Sequence, residues 1–511
     1  MVCRPPARKA GMRVTRKQRI CHPPAEQVKI LLSDGKRGGI ERKTGLLQIA
    51  TVPFLCKNAD LVQRSSNKCW ERRMNTNINL MKPDSAMKKY LAGASALLLL
   101  LTVFLPSVGL TFACGNLVFL EVWYLCKTAK PPARCIKKIV WGSALLNICI
   151  LLYTAFQKND ILLLARGYRE ALACGPVLNE NVPAFFREVY YSILLGTDSL
   201  LPTLFIAPLL HFFGGSFTVY VLLVFNMFVV PFFIVLGILI NEINPKCVPL
   251  MFLFAPFLTP VFCGSFDCAG LLCVALWLYL IHKRTFRKMA VSKAIVLGLL
   301  SVGMLLMRGW YLFYLLGTIL AFLLSGAIRT IYDKKFNMEI QVKNMLIVGG
   351  TALLIVVLLF KTYFVQIFRI YAEPMELLGT LLQNGMQFLS YYGILPLLFY
   401  GLGVAGLFRR RYRQYTMFLL LQIPITFLLF ASIQIMEPSH QYLIAAELLL
   451  LGIIGVTALP KWNTRVMVAF TVVLALNFAY TFAPLSGEPL KNVFGARFIP
   501  SNAVQMEILQ N

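Results

Sequence analysis

Four short stretches of this chain carry residues able to do chemistry in otherwise apolar surroundings. They are Asp160 in QKND, Asp267 in CGSFDCAG, Arg308 in LLMRGWYLF, and Glu437, His440, Gln441 and Tyr442 in IQIMEPSHQY. A carboxylate can serve as general base toward an acceptor hydroxyl or amine. An arginine can hold a phosphate that departs with growing negative charge. Together these suit glycosyl transfer from a lipid-phosphate sugar whose tail lies between helices. A single displacement at the anomeric carbon needs no covalent intermediate and inverts the configuration.

Each residue also has a structural reading. Asp160 can be a solvated helix end, and Asp267 can cap a helix starting near Cys268. Arg308 can reach toward lipid headgroups, and His440 can sit with Tyr442 in an interfacial belt. Asp198 reads best as a cap for the segment after it. Glu447 lies inside an apolar run, where a carboxylate is costly, so it should face the bundle interior and be protonated or paired with an arginine. Glu121 is similar but lies farther from the other groups.

Arg308 is the only charge between Ala294 and Ile328. An arginine at a helix centre costs about 2.5–3.5 kcal/mol on translocon-type scales, so its depth matters. The 511 residues are 58% hydrophobic and 14% charged, with a mean hydropathy of +0.69. Soluble domains carry about 25% charge, so the chain reads as an all-α polytopic membrane protein. Its apolar runs lie at 91–107, 109–126, 139–156, 217–240, 247–262, 266–281, 292–307, 311–328, 344–361, 385–408, 415–433, 442–459 and 466–483. That is about 11–13 spanning helices. The basic clusters (Lys88 and Lys89, then 127–138, 241–246, 282–288, 329–335, 409–413 and 461–465) fall between alternate pairs. Placing them all in the cytoplasm gives a consistent alternation with the N-terminus inside. Arg308 then lies at an external turn, on the same face as Asp160, Asp267 and 433–442. A second external segment, Tyr363 to Gln387, brings Arg369, Glu373 and Glu376 to that face. Residues 157–216 form a long amphipathic first external loop, in which 200–215 reads as a helix lying at the interface.

Half of the net charge of +28 lies in residues 1–89, which hold 20 Lys and Arg against 6 Asp and Glu. This stretch has no helical or strand period. It reads as a disordered cytosolic tail, or as sequence upstream of a start at Met81 or Met87. The expected organisation is a basic tail (1–89), a transmembrane hairpin (90–126), a main transmembrane domain (139–483) and a C-terminal tail (484–511). The thirteen Cys contain no CxxC pair, and the four His are scattered without HExxH. No metal site and no cofactor are expected, and no nucleic-acid partner.

The order of these features resembles the GT-C superfamily of polytopic glycosyltransferases, in particular the protein-mannosyltransferase-like and aminoarabinose-transferase-like branch. The resemblance runs over about residues 90–483: a helix ending in external Asp160, a long loop, FFGGS (212–216), GSFDCAG, RGWY (308–311) and SHQYLIAAELLLL. It implies a polyprenyl-phosphate sugar donor, chemistry on the extracytoplasmic side of the cell membrane, and a glycan, lipid or protein acceptor. By this resemblance Asp160 and Asp267 are the catalytic acids. Arg308, with Arg166 and Arg169, binds the donor phosphate. Glu437, His440, Gln441 and Tyr442 contact substrate. The chain departs from the family where an Asp-Glu pair reads Asp160-Ile161, and two spans precede the helix matched to the family's first. The competing readings are a transporter or flippase for lipid-linked glycans, a polysaccharide polymerase or ligase, and a non-catalytic membrane scaffold.

Overall fold

The computed structural model describes residues 106–156, 166–181, 184, 200–262, 266–283, 291–332, 338–359, 365, 381–431, 443–459 and 463–482. The chain divides into two units, Met1–Leu80 and Met81–Asn511, and every described residue belongs to the second. The basic tail, the first expected span up to residue 105 and the C-terminal tail lie outside the described residues.

Apolar runs with their breakers at the ends become helices, and no strand occurs among the described residues. In chain order they are α1 (Pro106–Ala129), α2 (Ala133–Phe156), α3 (Arg166–Ala173), α4 (Gly175–Glu180) and α5 (Leu200–Phe212). α6 (Phe217–Ile243) runs through a π-turn at Phe225–Val229. A bent pair, Pro245–Leu253 and Ala255–Phe262, leads through a 3-10 turn (Phe266–Gly270) into α7 (Leu271–His282). There follow α8 (Val291–Met307), α9 (Tyr311–Tyr332), α10 (Met338–Leu359), α11 (Leu381–Tyr392), α12 (Leu395–Val404), α13 (Arg413–Ala431), α14 (Ala445–Ala458) and α15 (Asn463–Phe482).

Five of these helices are long and apolar enough to cross a membrane, or six if the bent pair is one span; six shorter apolar helices accompany them among the described residues. The shorter ones have 10–17 residues. At 1.5 Å per residue all of them fall short of a hydrocarbon core about 30 Å thick. Apolar side chains also face outward. Trp141, Leu145 and Leu152 on α2, Leu346, Leu353 and Leu354 on α10, and Val468, Val472 and Leu476 on α15 are exposed. Such faces are stable where lipid is the solvent, and the set of apolar helices is consistent with a multi-pass membrane protein.

Three expectations change, while the run 109–126 is matched by α1, which starts at Pro106. Proline fits a helix start, where its missing N–H is not needed. The run 247–262 is not a straight span. Its two halves bend by 63°, and Pro245, Pro249, Pro256 and Pro260 each remove a backbone donor from it. The run 385–408 is split into α11 and α12 by Gly393, whose φ of 64° lies in the left-handed region that glycine tolerates. Finally, the segment 200–215, expected as a helix lying by itself at the interface, packs into the bundle. In α5, Leu201, Leu204, Ile206, Ala207 and Leu210 are all fully buried against the bundle. A helix apolar on all sides needs such cover.

The helices pack as α9 along α13, α8 along α10, α12 along α14 and α6 along α7. One end of the bundle gathers the basic segments. Lys138 Nζ donates to the Pro245 carbonyl (3.1 Å), Arg411 to the Glu242 carbonyl (3.1 Å) and the Tyr412 hydroxyl to the Ile243 carbonyl (3.2 Å). Arg409 Nε donates to the Ala458 carbonyl (2.8 Å), and Lys283 pairs with Glu242 (2.6 Å). Arg329 donates to Gln414. The ends of α6, α7, α9 and α14 and the starts of α2 and α13 therefore meet, as an alternating path of helices requires.

Candidate functional site

The opposite ends of several helices converge on the short elements that carry the charged candidates. α3 is an amphipathic helix whose Tyr168 and Ala171 are buried while Arg169 is exposed. The Tyr168 hydroxyl donates to the Gly215 carbonyl at 2.6 Å, and its ring meets Phe217 and Tyr220 edge-on, each at 5.4 Å. Burial raises its phenol above the usual pKa. The position of α3 is set by close contact. A methyl group on Gly167 would come within 2.5 Å of the Tyr220 hydroxyl and 2.7 Å of the Phe266 ring. Phe266 in turn meets the Tyr220 ring at 5.5 Å. Arg166, at the start of α3, and Asp267, next to Phe266, thus belong to neighbouring pieces of backbone.

The same 3-10 turn touches the Arg308 corner. A methyl group on Gly270 would lie 2.1 Å from the Tyr311 ring, and only glycine leaves room for that approach. Replacing Gly270 with alanine must displace Tyr311 or the turn. Overpacking of this kind costs about 1–3 kcal/mol, so thermal unfolding of the detergent-solubilised protein should shift down by several degrees. An unchanged melting temperature would show that the contact is loose.

Arg308 connects α8 to α9. Its backbone N–H reaches the Met304 carbonyl (3.4 Å), and its carbonyl accepts from Tyr311 N (3.2 Å). The side chain is buried to 9% exposure, and its guanidinium lies over the Trp310 ring, 4.0 Å from the centroid. Stacking holds the guanidinium plane, so the N–H fork keeps the fixed geometry that matches a carboxylate or a phosphate.

Asp160, Glu437, His440, Gln441 and Tyr442 lie outside the described residues, as do Asp198, Arg369, Glu373 and Glu376. Their flanking helices are described. Tyr153, near the end of α2, meets Phe262 at 4.7 Å, and Phe262 meets Phe482 at 5.3 Å. On the other side of the 433–442 segment, Leu443 and Ile444 are buried and lead directly into α14.

Beneath this end the structure assembles a polar cluster. Glu447, in the first turn of α14, is 0% exposed. Gln422 Nε2 of α13 donates to Glu447 Oε1 (3.2 Å) and to Thr318 Oγ1 of α9 (2.8 Å). Tyr314, one turn along α9 from Tyr311, brings its hydroxyl beside the same carboxyl. Of the two expected states of Glu447, protonated or paired with an arginine, the second finds no counterpart among the described residues, where Glu447 forms no ion pair. Its partners are neutral instead. Gln422 and Thr318 escaped notice in the sequence because each is a lone polar residue in an apolar run. Among the described residues no three His, Cys, Asp or Glu side chains gather in a way that could hold a metal ion.

No protein-family model matches the chain, and neither a curated protein nor a solved structure proves similar to it.

Proposed function

We propose that the protein is an integral-membrane glycosyltransferase of the GT-C kind. It moves a sugar from a polyprenyl-phosphate donor to an acceptor outside the cytoplasm. The observation that supports this reading best is the line of contacts from α3 through the Phe266–Gly270 turn to Tyr311. That line puts the backbone of Arg166 and Asp267 and the stacked guanidinium of Arg308 at one end of an apolar bundle, with the basic loops gathered at the other. A phosphate anchored near the surface, with its lipid tail against apolar helices, suits such an end.

In this reading Arg308 takes the donor phosphate and stabilises the charge that grows on it as the glycosidic bond breaks. Asp160 accepts the acceptor's proton as its oxygen or nitrogen attacks the anomeric carbon, and Asp267 orients the acceptor. Arg166 and Arg169 add positive potential, and 437–442 closes over the sugar. The test is to incubate the purified protein with labelled polyprenyl-phosphate sugars and with glycan, lipid and peptide acceptors. Donor-dependent transfer of label supports the proposal. A purified, folded protein that transfers from no donor contradicts it.

A second reading, as a flippase for lipid-linked glycans, draws on the proline-bent pair and the buried Glu447, since broken helices and intramembrane carboxylates suit transporters.

A further inference from the structure

The Glu447 cluster is unusual in what it lacks. Four polar side chains from three helices meet at zero or near-zero exposure, Tyr314 and Thr318 from α9, Gln422 from α13 and Glu447 from α14, and buried Thr426 lies one turn along α13 from Gln422. The helices approach so closely here that a methyl group on Gly317 would lie 2.1 Å from Thr426 Oγ1. Yet Gln422 Oε1 and Thr426 Oγ1 have no hydrogen-bond partner among the described residues, and the second carboxyl oxygen of Glu447 has only neutral groups such as the Tyr314 hydroxyl beside it. The titratable groups facing Glu447 are Tyr314 from α9 and Tyr415 from α13, both phenols. No ion pair from the described parts of any neighbouring helix reaches it.

The hydrogen-bond count is therefore out of balance. Gln422 Nε2 already serves Glu447 Oε1 and Thr318. Hydroxyl donors can be turned toward one of the remaining acceptors each, but a buried carboxylate still keeps its full negative charge among neutral groups. Leaving it so costs several kcal/mol. A small positive species removes that cost. With a single carboxylate and otherwise neutral oxygens the site suits charge +1, not a divalent ion, which gathers several carboxylates. The tight helix contacts set the size.

We propose that Glu447, with Tyr314, Thr318, Gln422 and Thr426, forms a binding site for a small monovalent cation, a proton or a sodium ion, that links α9, α13 and α14. The site lies below the Arg308 corner, joined to it along one stripe of α9 through Tyr311 and Tyr314, whose rings meet at 6.5 Å. It does not depend on the transferase reading, and its test measures no transfer.

The full-length protein is unfolded thermally in detergent in two series. One exchanges choline for sodium at constant pH. The other runs from about pH 6 to about pH 9 without sodium, a range that leaves ordinary carboxylates ionised throughout. The wild-type melting temperature should rise by several degrees with sodium if the ion is sodium, or fall with rising pH if it is the proton. Glu447→Gln, which keeps the shape and removes the charge, should lose that dependence. A wild-type protein insensitive to both, or a variant with the same response as wild type, overturns the proposal. A second measurement needs no variant. An apolar carbodiimide should label Glu447, as read by peptide mass, and sodium or high pH should reduce that labelling at least about tenfold. Absent labelling, or labelling indifferent to both, counts against the site.

Discussion

Replacing Arg308 with alanine should lower kcat/KM for transfer from a polyprenyl-phosphate sugar by about a hundredfold to a thousandfold. That is the range seen when one preorganised group that stabilises transition-state charge is removed. The reason for so large an effect is local. The guanidinium is held by the Trp310 ring at 4.0 Å and is buried to 9% exposure. In the proposed function it acts from a buried position, where a charge interaction is worth more than at an open surface. Arg308→Lys should recover only part of the loss, because an ammonium keeps the charge but neither the planar fork nor the stacking. Steady-state kinetics with a labelled donor check both variants. Equal activity of Arg308→Ala and wild type would leave the arginine a purely structural part of the α8–α9 corner.

The second large effect is expected at Asp160. Loss of a general base costs about a hundredfold to ten-thousandfold in rate, and in the proposed mechanism Asp160→Asn removes the base with almost no change in size. The loss should then fall mainly on kcat, with donor binding kept, since that proposal assigns the phosphate to Arg308. Asp267→Asn, at the residue proposed to orient the acceptor, should instead raise the acceptor's KM. If Asp160→Asn transfers at the wild-type rate while Asp267→Asn is inactive, the two roles are reversed. If both remain fully active, neither carboxylate takes part in the chemistry.

Much of the helix layout was legible from hydropathy alone. The runs 292–307, 415–433 and 442–459 correspond to Val291–Met307, Arg413–Ala431 and Ala445–Ala458 with ends only a few residues apart. Charge patterning was informative too: of the basic clusters expected on one side, those at 127–138, 241–246, 282–288 and 409–413 meet through Lys138, Glu242, Lys283 and Arg411. The bend between Pro245–Leu253 and Ala255–Phe262 was hidden, because an averaged hydropathy does not register lost backbone donors. The burial of α5 was hidden for a related reason. A short apolar helix looks the same in sequence whether lipid or protein covers it.

The site was less legible. Glu447 stood out in the sequence as a carboxylate in an apolar run, yet its partners Gln422 and Thr318 could not be named. They lie on helices distant in sequence from each other, and no local spacing joins them. The contacts that bring α3 against Phe266, and Gly270 against Tyr311, are likewise made by glycines whose neighbours appear only once the chain is folded.

The proposed function requires a bundle with two unlike ends: a transfer end outside the cytoplasm and a basic end within it. Single cysteines in a background without the native ones test this in intact cells with a membrane-impermeant maleimide. Exposed Arg169, with Asp267, marks the first end, and exposed Lys246 and Arg410 mark the second. Arg169→Cys and Asp267→Cys should react in intact cells, whereas Lys246→Cys and Arg410→Cys should react only after permeabilisation. Labelling of Lys246→Cys and Arg410→Cys from outside, with Arg169→Cys and Asp267→Cys protected, would rule out a transfer site on the outer side.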